Sequence, residues 1–237
     1  YVSLVETGHP IGYFSGMSYS GIWQNQAQID AARAEGKAVL DNARPGDCIW
    51  DDWNGDGKLD LANDRHEIGD PNPDVTLGVT LGLDWKGLDF SVSGSGAFGH
   101  QIMQCYRTSL LANQFSNYTT DVFDRWHGEG TSNSKPRLGW SNENTSWVST
   151  VYMQDADFFK IQNVTIGYDF TKNLWKNSPF GQIRLYVQAQ NLACFTKYTG
   201  VDPEVGSSGG TNDWAKGVDL GLYPTARTYI AGVNIKF

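Results

Sequence analysis

The last segment of the chain, "RTYIAGVNIKF" at residues 227–237, alternates apolar and polar positions. One face carries Tyr229, Ala231, Val233, Ile235 and Phe237, and the residues between them are mostly polar or small. A period of two is typical of a β-strand that separates an apolar from a polar environment. The segment therefore predicts a strand with one apolar face.

The same alternation recurs in four further segments. They are "TLGVTLGLDW" from residue 76, "LDFSVSGSGAF" from residue 88, "FFKIQNVTIGYDF" from residue 158 and "QIRLYVQAQNL" from residue 182. A less regular strand is expected within residues 10–23, "PIGYFSGMSYSGIW". The pattern predicts an all-β chain with about six antiparallel strands.

The connections between these strands alternate in length. Long connections run over about 24–75, 99–157 and 192–226, whereas those at 86–87 and 171–181 are shorter. Long extracellular loops and short periplasmic turns are typical of outer-membrane β-barrels. If Phe237 lies on the periplasmic side, every long connection falls outside the cell. An antiparallel sandwich would show the same alternation within its strands. Both ends of a sandwich are in water, however, so a sandwich does not explain why long and short connections alternate.

Six strands are too few to close a barrel. A transmembrane barrel needs at least eight, because an open edge in lipid leaves backbone groups without hydrogen bonds. We therefore expect either the C-terminal part of a larger barrel, which we favour, or several short chains that share one barrel.

Composition supports this interpretation and excludes others. Nine tryptophans, eleven tyrosines and eleven phenylalanines make up 13% of the chain, and many fall at predicted strand ends, as in the aromatic girdles of barrels. The net charge of -8 argues against a nucleic-acid partner. Cys48, Cys105 and Cys194 have no paired spacing, so neither a disulfide framework nor a cysteine-based metal site is expected. The sequence contains no run of eighteen apolar residues and no signal-peptide pattern at its start.

The segment "DDWNGDGKLDLANDR" at 51–65 has the spacing of a calcium-binding loop, with oxygen-bearing side chains on alternate residues around Gly57. The twelfth loop position is Asn63, and Asp64 follows one residue late, so either residue could complete the shell. The alternative is a set of Asx turns without an ion. The predicted ligands are Asp52, Asn54, Asp56, the carbonyl of Lys58, Asp60 and Asp64.

Five blocks of the sequence together resemble a known family. They are "HPIGYFSGMSYSGIWQNQAQI", "RPGDCIWDDWNGDGKLDLANDRHEIGDPNPD", "FFKIQNVTIGYDF", "IRLYVQAQNLACFTKYTGVDPE" and "YPTARTYIAGVNIKF". In content and order they are similar to the signature blocks of the SusC/RagA-type TonB-dependent transporters of Bacteroidota. The resemblance covers nearly the whole chain.

The resemblance implies a fold and partners. Complete members are barrels of 22 strands with an N-terminal plug domain, a segment that binds TonB, and a SusD-type surface lipoprotein as a lid. The chain is then expected to be the C-terminal quarter of such a transporter, with the plug absent from it. The resemblance also implies that the family's calcium-like loop lies at 52–64 and that Phe237 is read by the barrel-assembly machinery.

No catalytic pattern is present, so the chain is not expected to be an enzyme. The expected function is TonB-dependent import of a nutrient across the outer membrane, with a glycan or oligosaccharide as the favoured cargo and a peptide as the other. Helix-forming segments at 27–43 and 101–115 are expected in the long loops. Two alternatives are open for their apolar residues, which are packing against the partner lipoprotein and packing against the barrel's own loops. The alternative function is that of a secreted, calcium-dependent, glycan-binding β-sandwich. Tryptophans expected to stack on sugar rings are Trp126, Trp140, Trp147 and Trp214.

Overall fold

The computed structural model describes residues 2–106, 118, 120–139, 143–204, 216–221 and 223–237. Within them the chain forms twelve strands and three short α-helices. The strands are β1 (Ser3–Leu4), β2 (Tyr13–Gly16), β3 (Tyr19–Ile22), β4 (Cys48–Trp50), β5 (His66–Gly69), β6 (Val75–Trp85), β7 (Leu88–Phe98), β8 (Gln101–Met103), β9 (Met153–Asp155), β10 (Phe158–Asp169), β11 (Gln182–Thr196) and β12 (Thr228–Lys236). The helices are α1 (Gln26–Ala34), α2 (Glu143–Ser146) and α3 (Phe170–Asn173), and 3₁₀ turns occur at Thr120–Asp124 and Thr150–Tyr152.

The chain divides into two compact units. One contains the described residues within 1–72, 101–154 and 204–221, and the other contains those within 73–100, 155–203 and 222–237. We call them the loop unit and the sheet unit. The long connections predicted from the sequence supply most of the loop unit. Their extracellular position stays a prediction.

The sheet unit is one antiparallel sheet of five long strands in the order β12-β11-β10-β7-β6. All five strands with clear alternation are therefore confirmed, including the two-residue turn between β6 and β7. Lys86 and Gly87 have φ angles of +46° and +89° in that turn, the left-handed conformation that a two-residue type I′ hairpin requires. Strand pairing is continuous from β6 to β12.

The register collects the apolar residues on one face. Leu83 pairs with Phe90, Phe90 with Ile166, and Ile166 with Val187. This face is not covered by the described part of the chain: Leu81, Ile166 and Val187 are 61%, 51% and 59% exposed. A sandwich would bury these side chains against a second sheet, so the uncovered face removes the main support for that alternative.

The prediction of a less regular strand within residues 10–23 is confirmed in part, because the segment does form β-strand, but it does not join the five-stranded sheet. The segment forms two short strands, β2 and β3, which pair in two small sheets apart from the five-stranded one. All four residues of β2 are buried, so it lies within a core instead of separating two environments. Met17, between the two strands, is fully buried and bridges to Ser149.

The loop unit has its own apolar cores. One is built from Phe14, Met103, Tyr152 and Val218, and a second from Met17, Cys48 and Trp50. A third contains Trp23, Ile29 and Ala32 and fixes helix α1. The described parts of the long connections therefore pack around apolar cores of their own.

The two predicted helices have different outcomes. Helix α1 is confirmed, capped by Asn25, whose side chain accepts the N–H of Gln28, but it ends at Ala34, well before residue 43. The second prediction is wrong at its start, because Gln101–Met103 is strand β8, with Ile102 and Met103 buried. Its positions 107–115, including Leu110 and Leu111, lie outside the described residues. Among the helices that the structure describes, none has both the length and the apolar character needed to cross a membrane.

Candidate functional site

The acidic loop connects β4 to β5 and is folded by its own side chains. The N–H groups of Asp56, Lys58 and Ala62 donate to the Oδ1 atoms of Asn54, Asp56 and Asp60, at 2.9, 2.8 and 2.8 Å. Each is an Asx turn, in which a side chain two residues back replaces a backbone acceptor. The oxygen spacing read from the sequence therefore corresponds to a run of such turns.

Asp52 holds the tight part of the loop. Its Oδ1 and Oδ2 accept the N–H groups of Gly55 and Gly57, both at 2.8 Å. These glycines have φ angles of +73° and +83°, a conformation that costs glycine little and other residues more. Gly57 therefore allows the chain to turn sharply within the loop.

Asp64, not Asn63, lies inside the loop. It is 1% exposed, and its two oxygens accept the N–H groups of Trp53 and Asp60 at 3.0 and 2.8 Å. The exposed Asn63 instead donates its side-chain N–H to Asp60 Oδ2 at 3.0 Å. That hydrogen bond is the main reason that the pKa of Asp60 lies below its ordinary value. Asp64 thus closes the loop from within by binding the backbone at both of its ends.

The donor chemistry of the loop suits a hard cation, since carboxylate and amide oxygens are the ligands that calcium prefers. Each carboxylate oxygen that accepts one N–H retains a further lone pair. In the described part of the chain, however, no three or more His, Cys, Asp or Glu side chains converge closely enough to form a ready metal site. Lys58 is held through its N–H by Asp56. The loop therefore carries oxygen donors of the kind that calcium prefers, but these donors do not form a complete coordination shell.

Two of the four tryptophans expected to stack on sugar rings lie in the described residues, and both contact other side chains of the protein. Trp147 packs against Trp50, with ring centroids 5.2 Å apart, and Trp126 donates its indole N–H to Gln24. Both are partly buried, and Trp140 and Trp214 lie outside the described residues. Trp53, which was not among the tryptophans expected to stack on sugars, is 62% exposed. Its position inside the acidic loop was the signal that could have identified it, because a large apolar ring in a polar loop is exposed unless a core receives it.

The polar face of the sheet carries an ion pair across three strands. Arg184 on β11 donates from Nε to Asp89 Oδ1 on β7 at 2.7 Å, and from Nη2 to Asp89 Oδ2. The guanidinium lies over Gly167 of the intervening strand β10, where a Cβ atom would collide with it. Polar side chains thus occupy the face opposite the apolar one.

An antiparallel sheet with an uncovered apolar face, an opposite polar face and short turns at one end is the wall of a transmembrane β-barrel. The comparisons with known proteins identify which kind. TonB-dependent receptor P3 of Formosa agariphila is 31% identical over 99% of this chain, and TonB-dependent receptor SusC of Bacteroides thetaiotaomicron is 30% identical over 83% of it. The predicted resemblance to the SusC/RagA-type TonB-dependent receptors is confirmed.

Solved structures show the same fold. The RagAB peptide transporter matches all of this chain with a TM-score of 0.70 at 22% identity, and its closed form matches with a TM-score of 0.68 at 23% identity. No protein-family model matches the chain. The chain spans 23% of the length of receptor P3, 18% of SusC and 24% of the RagAB chain. The fold is therefore part of a TonB-dependent receptor barrel, and the relatives are named as receptors and transporters, not as enzymes.

Proposed function

We propose that the protein imports a nutrient across the bacterial outer membrane in a TonB-dependent manner. The apolar face of the sheet, which the described residues leave uncovered, carries this proposal, because an apolar outer face opposite a polar one is suited to contact with lipid. The similarity to TonB-dependent receptors supports the energy source. In this proposal the long loops face outward, the C-terminus lies in the periplasm, and TonB acts through a part of the protein beyond this chain.

A surface lipoprotein of the SusD type is the proposed partner. SusC is among the relatives, and a neighbouring structure is named as the RagAB peptide transporter. The remaining part of the barrel and the plug are the other proposed partners. They would complete the pairing of β6 and β12, the two edge strands of the sheet.

A glycan or oligosaccharide is the proposed cargo. A peptide is the second candidate, because the RagAB neighbour is named as a peptide transporter. The test is uptake by cells that carry the complete transporter, measured with a labelled oligosaccharide pool and a labelled peptide pool, each in the presence of the other unlabelled pool. Saturable oligosaccharide uptake that disappears on deletion of TonB supports the proposal. Peptide uptake alone would replace the cargo, and uptake that persists without TonB would overturn the mechanism.

Calcium bound to the acidic loop is proposed as a structural ion. The support is the set of Asx turns already in place and the burial of Asp64, which leave little chain entropy to lose on binding. Extracellular modules of this kind bind calcium at roughly 0.1–1 mM, a concentration met outside cells. An ion would stiffen the connection between β4 and β5.

Calcium binding is measured by isothermal titration on the purified complete transporter and on its Asp64→Asn variant. Loss of one buried carboxylate oxygen should raise the calcium Kd about tenfold or more. Asp41→Asn removes the same charge from an exposed position outside the loop and should leave the Kd unchanged. No binding to the unsubstituted protein at millimolar calcium would contradict the proposal.

A further inference from the structure

A cleft in the loop unit is lined on one side by two stacked aromatic rings. Trp53 stacks flat on His66, with ring centroids 3.6 Å apart and an angle of 6° between the ring planes. His66 is fixed at both nitrogens, Nε2 lying 3.0 Å from Ser18 Oγ and Nδ1 3.0 Å from the carbonyl oxygen of Asp64. One face of the indole is thus supported, while Trp53 as a whole remains 62% exposed.

A second aromatic pair lines the same cleft. His9 and Tyr13 stack with centroids 4.7 Å apart. Their polar atoms are held by carboxylates, since His9 Nδ1 lies 2.6 Å from Glu67 Oε2 and the Tyr13 hydroxyl donates to Glu6 Oε2 at 2.9 Å. The cleft measures about 620 Å³, and all of the residues that line it belong to the loop unit.

The charges around the cleft are mixed. Glu6 and Glu67 are each engaged by a neighbour, and Arg65 also lines the wall. Each of the two carboxylates is already hydrogen-bonded to a neighbouring ring, and each still offers lone pairs to the hydroxyl donors of a ligand. Binding sites for neutral ligands combine apolar ring surfaces with a few such fixed polar groups.

We propose that this cleft is a carbohydrate subsite in which the exposed face of Trp53 stacks on a neutral pyranose ring and Glu6 and Glu67 accept hydrogen bonds from its hydroxyls. The C–H face of a pyranose is flat and weakly positive, which matches the negative face of an indole ring. This inference rests on the proposed function, because it assigns to the loop unit the first contact with a glycan cargo.

The test measures binding to the complete transporter with its lipoprotein, purified in detergent. The probes are a size-graded pool of neutral oligosaccharides from the native growth substrate and a pool of octapeptides, each titrated calorimetrically. Trp53→Ala should raise the Kd for the oligosaccharide pool about tenfold, as expected for loss of one stacked ring. Trp53→Phe, which keeps a smaller ring, should raise it less. Trp175→Ala is the matched control, because Trp175 is 49% exposed in the sheet unit, away from the lining of the cleft.

The outcomes separate this subsite from the proposed function. Oligosaccharide binding and uptake that are unchanged in Trp53→Ala overturn the subsite and leave glycan import standing. Binding of octapeptides alone by the unsubstituted protein overturns both the subsite and the glycan cargo. An equal loss of affinity in Trp53→Ala and Trp175→Ala would also overturn the subsite, because the effect would then be general.

Discussion

At the scale of single residues, Gly167 determines whether Arg184 can reach Asp89. The guanidinium crosses strand β10 at the one position where no side chain intervenes. Neither residue stands out in the sequence, since alternation predicts only that Arg184 and Asp89 lie on the polar face. Their pairing depends on strand order and register, which period-two patterning does not specify.

Breaking this ion pair should destabilise the barrel. Arg184→Ala or Asp89→Ala alone should each cost about 1–3 kcal/mol, because each leaves a partly buried charged partner without its hydrogen bonds. The double substitution should cost less than the sum of the two. The measurement is urea unfolding of the complete protein in lipid, analysed as a double-mutant cycle. Gln188→Ala, which removes a neutral bond to Asn163 on the same face, is the control. Additive effects would show that the pair contributes nothing.

The thiol of Cys48 should be unreactive in the folded protein. The side chain is 2% exposed, and burial, reinforced by nearby Asp47, raises the pKa of the thiol well above its ordinary value. The thiolate, which is the reactive form, is therefore suppressed until the unit unfolds. Maleimide labelling at pH 8, followed by mass spectrometry of the Cys48 peptide, should show labelling only after denaturation. Rapid labelling of the folded protein would contradict the assigned core.

At the scale of secondary-structure elements, the sequence predicts those strands in which apolar and polar residues alternate. Five strands with one apolar face appear as expected, because the alternation records two environments along the whole strand. Segment 10–23 forms two short strands outside the long sheet, and β2 is buried on both faces, so its sequence shows no period of two. Helix propensity located α1 but not its end at Ala34, where Glu35 caps the helix and Gly36 turns with φ +75°. The acidic loop was recognisable from spacing, while the inward position of Asp64 required three-dimensional contacts.

The close pairing of β7 with β10 should depend on Gly94. A Cβ atom there would lie 2.8 Å from the carbonyl oxygen of Lys160 and 3.0 Å from the Phe159 ring. Gly94→Val should therefore lower stability by about 1–3 kcal/mol through overpacking and reduce the folded fraction. Gly82→Val is the matched control, because the described residues leave open space around Gly82 in β6. The readout is the heat-dependent mobility shift of the complete barrel in gel electrophoresis. Equal folded fractions of the Gly94→Val and Gly82→Val variants would contradict the assigned register of β7 and β10.

At the scale of the whole molecule, the sheet of this chain is stable only within a larger assembly. Its apolar face is uncovered, and β6 and β12 have free edges within the described chain. Both features are costly in water and are resolved by lipid and by further strands. The sequence predicted this incompleteness from strand count alone, although it overestimated the number of long strands by one. The Trp53 cleft, by contrast, shows no pattern in the sequence, because side chains from separated segments form it.

The most direct test is to extract native outer membranes in detergent, capture this chain and identify by mass spectrometry what remains bound. We expect a large transporter that contains the plug and the remaining barrel strands, together with a surface lipoprotein. Recovery of a soluble, monomeric protein of only 26.2 kDa would contradict the account, because the uncovered apolar face could not then be a barrel wall.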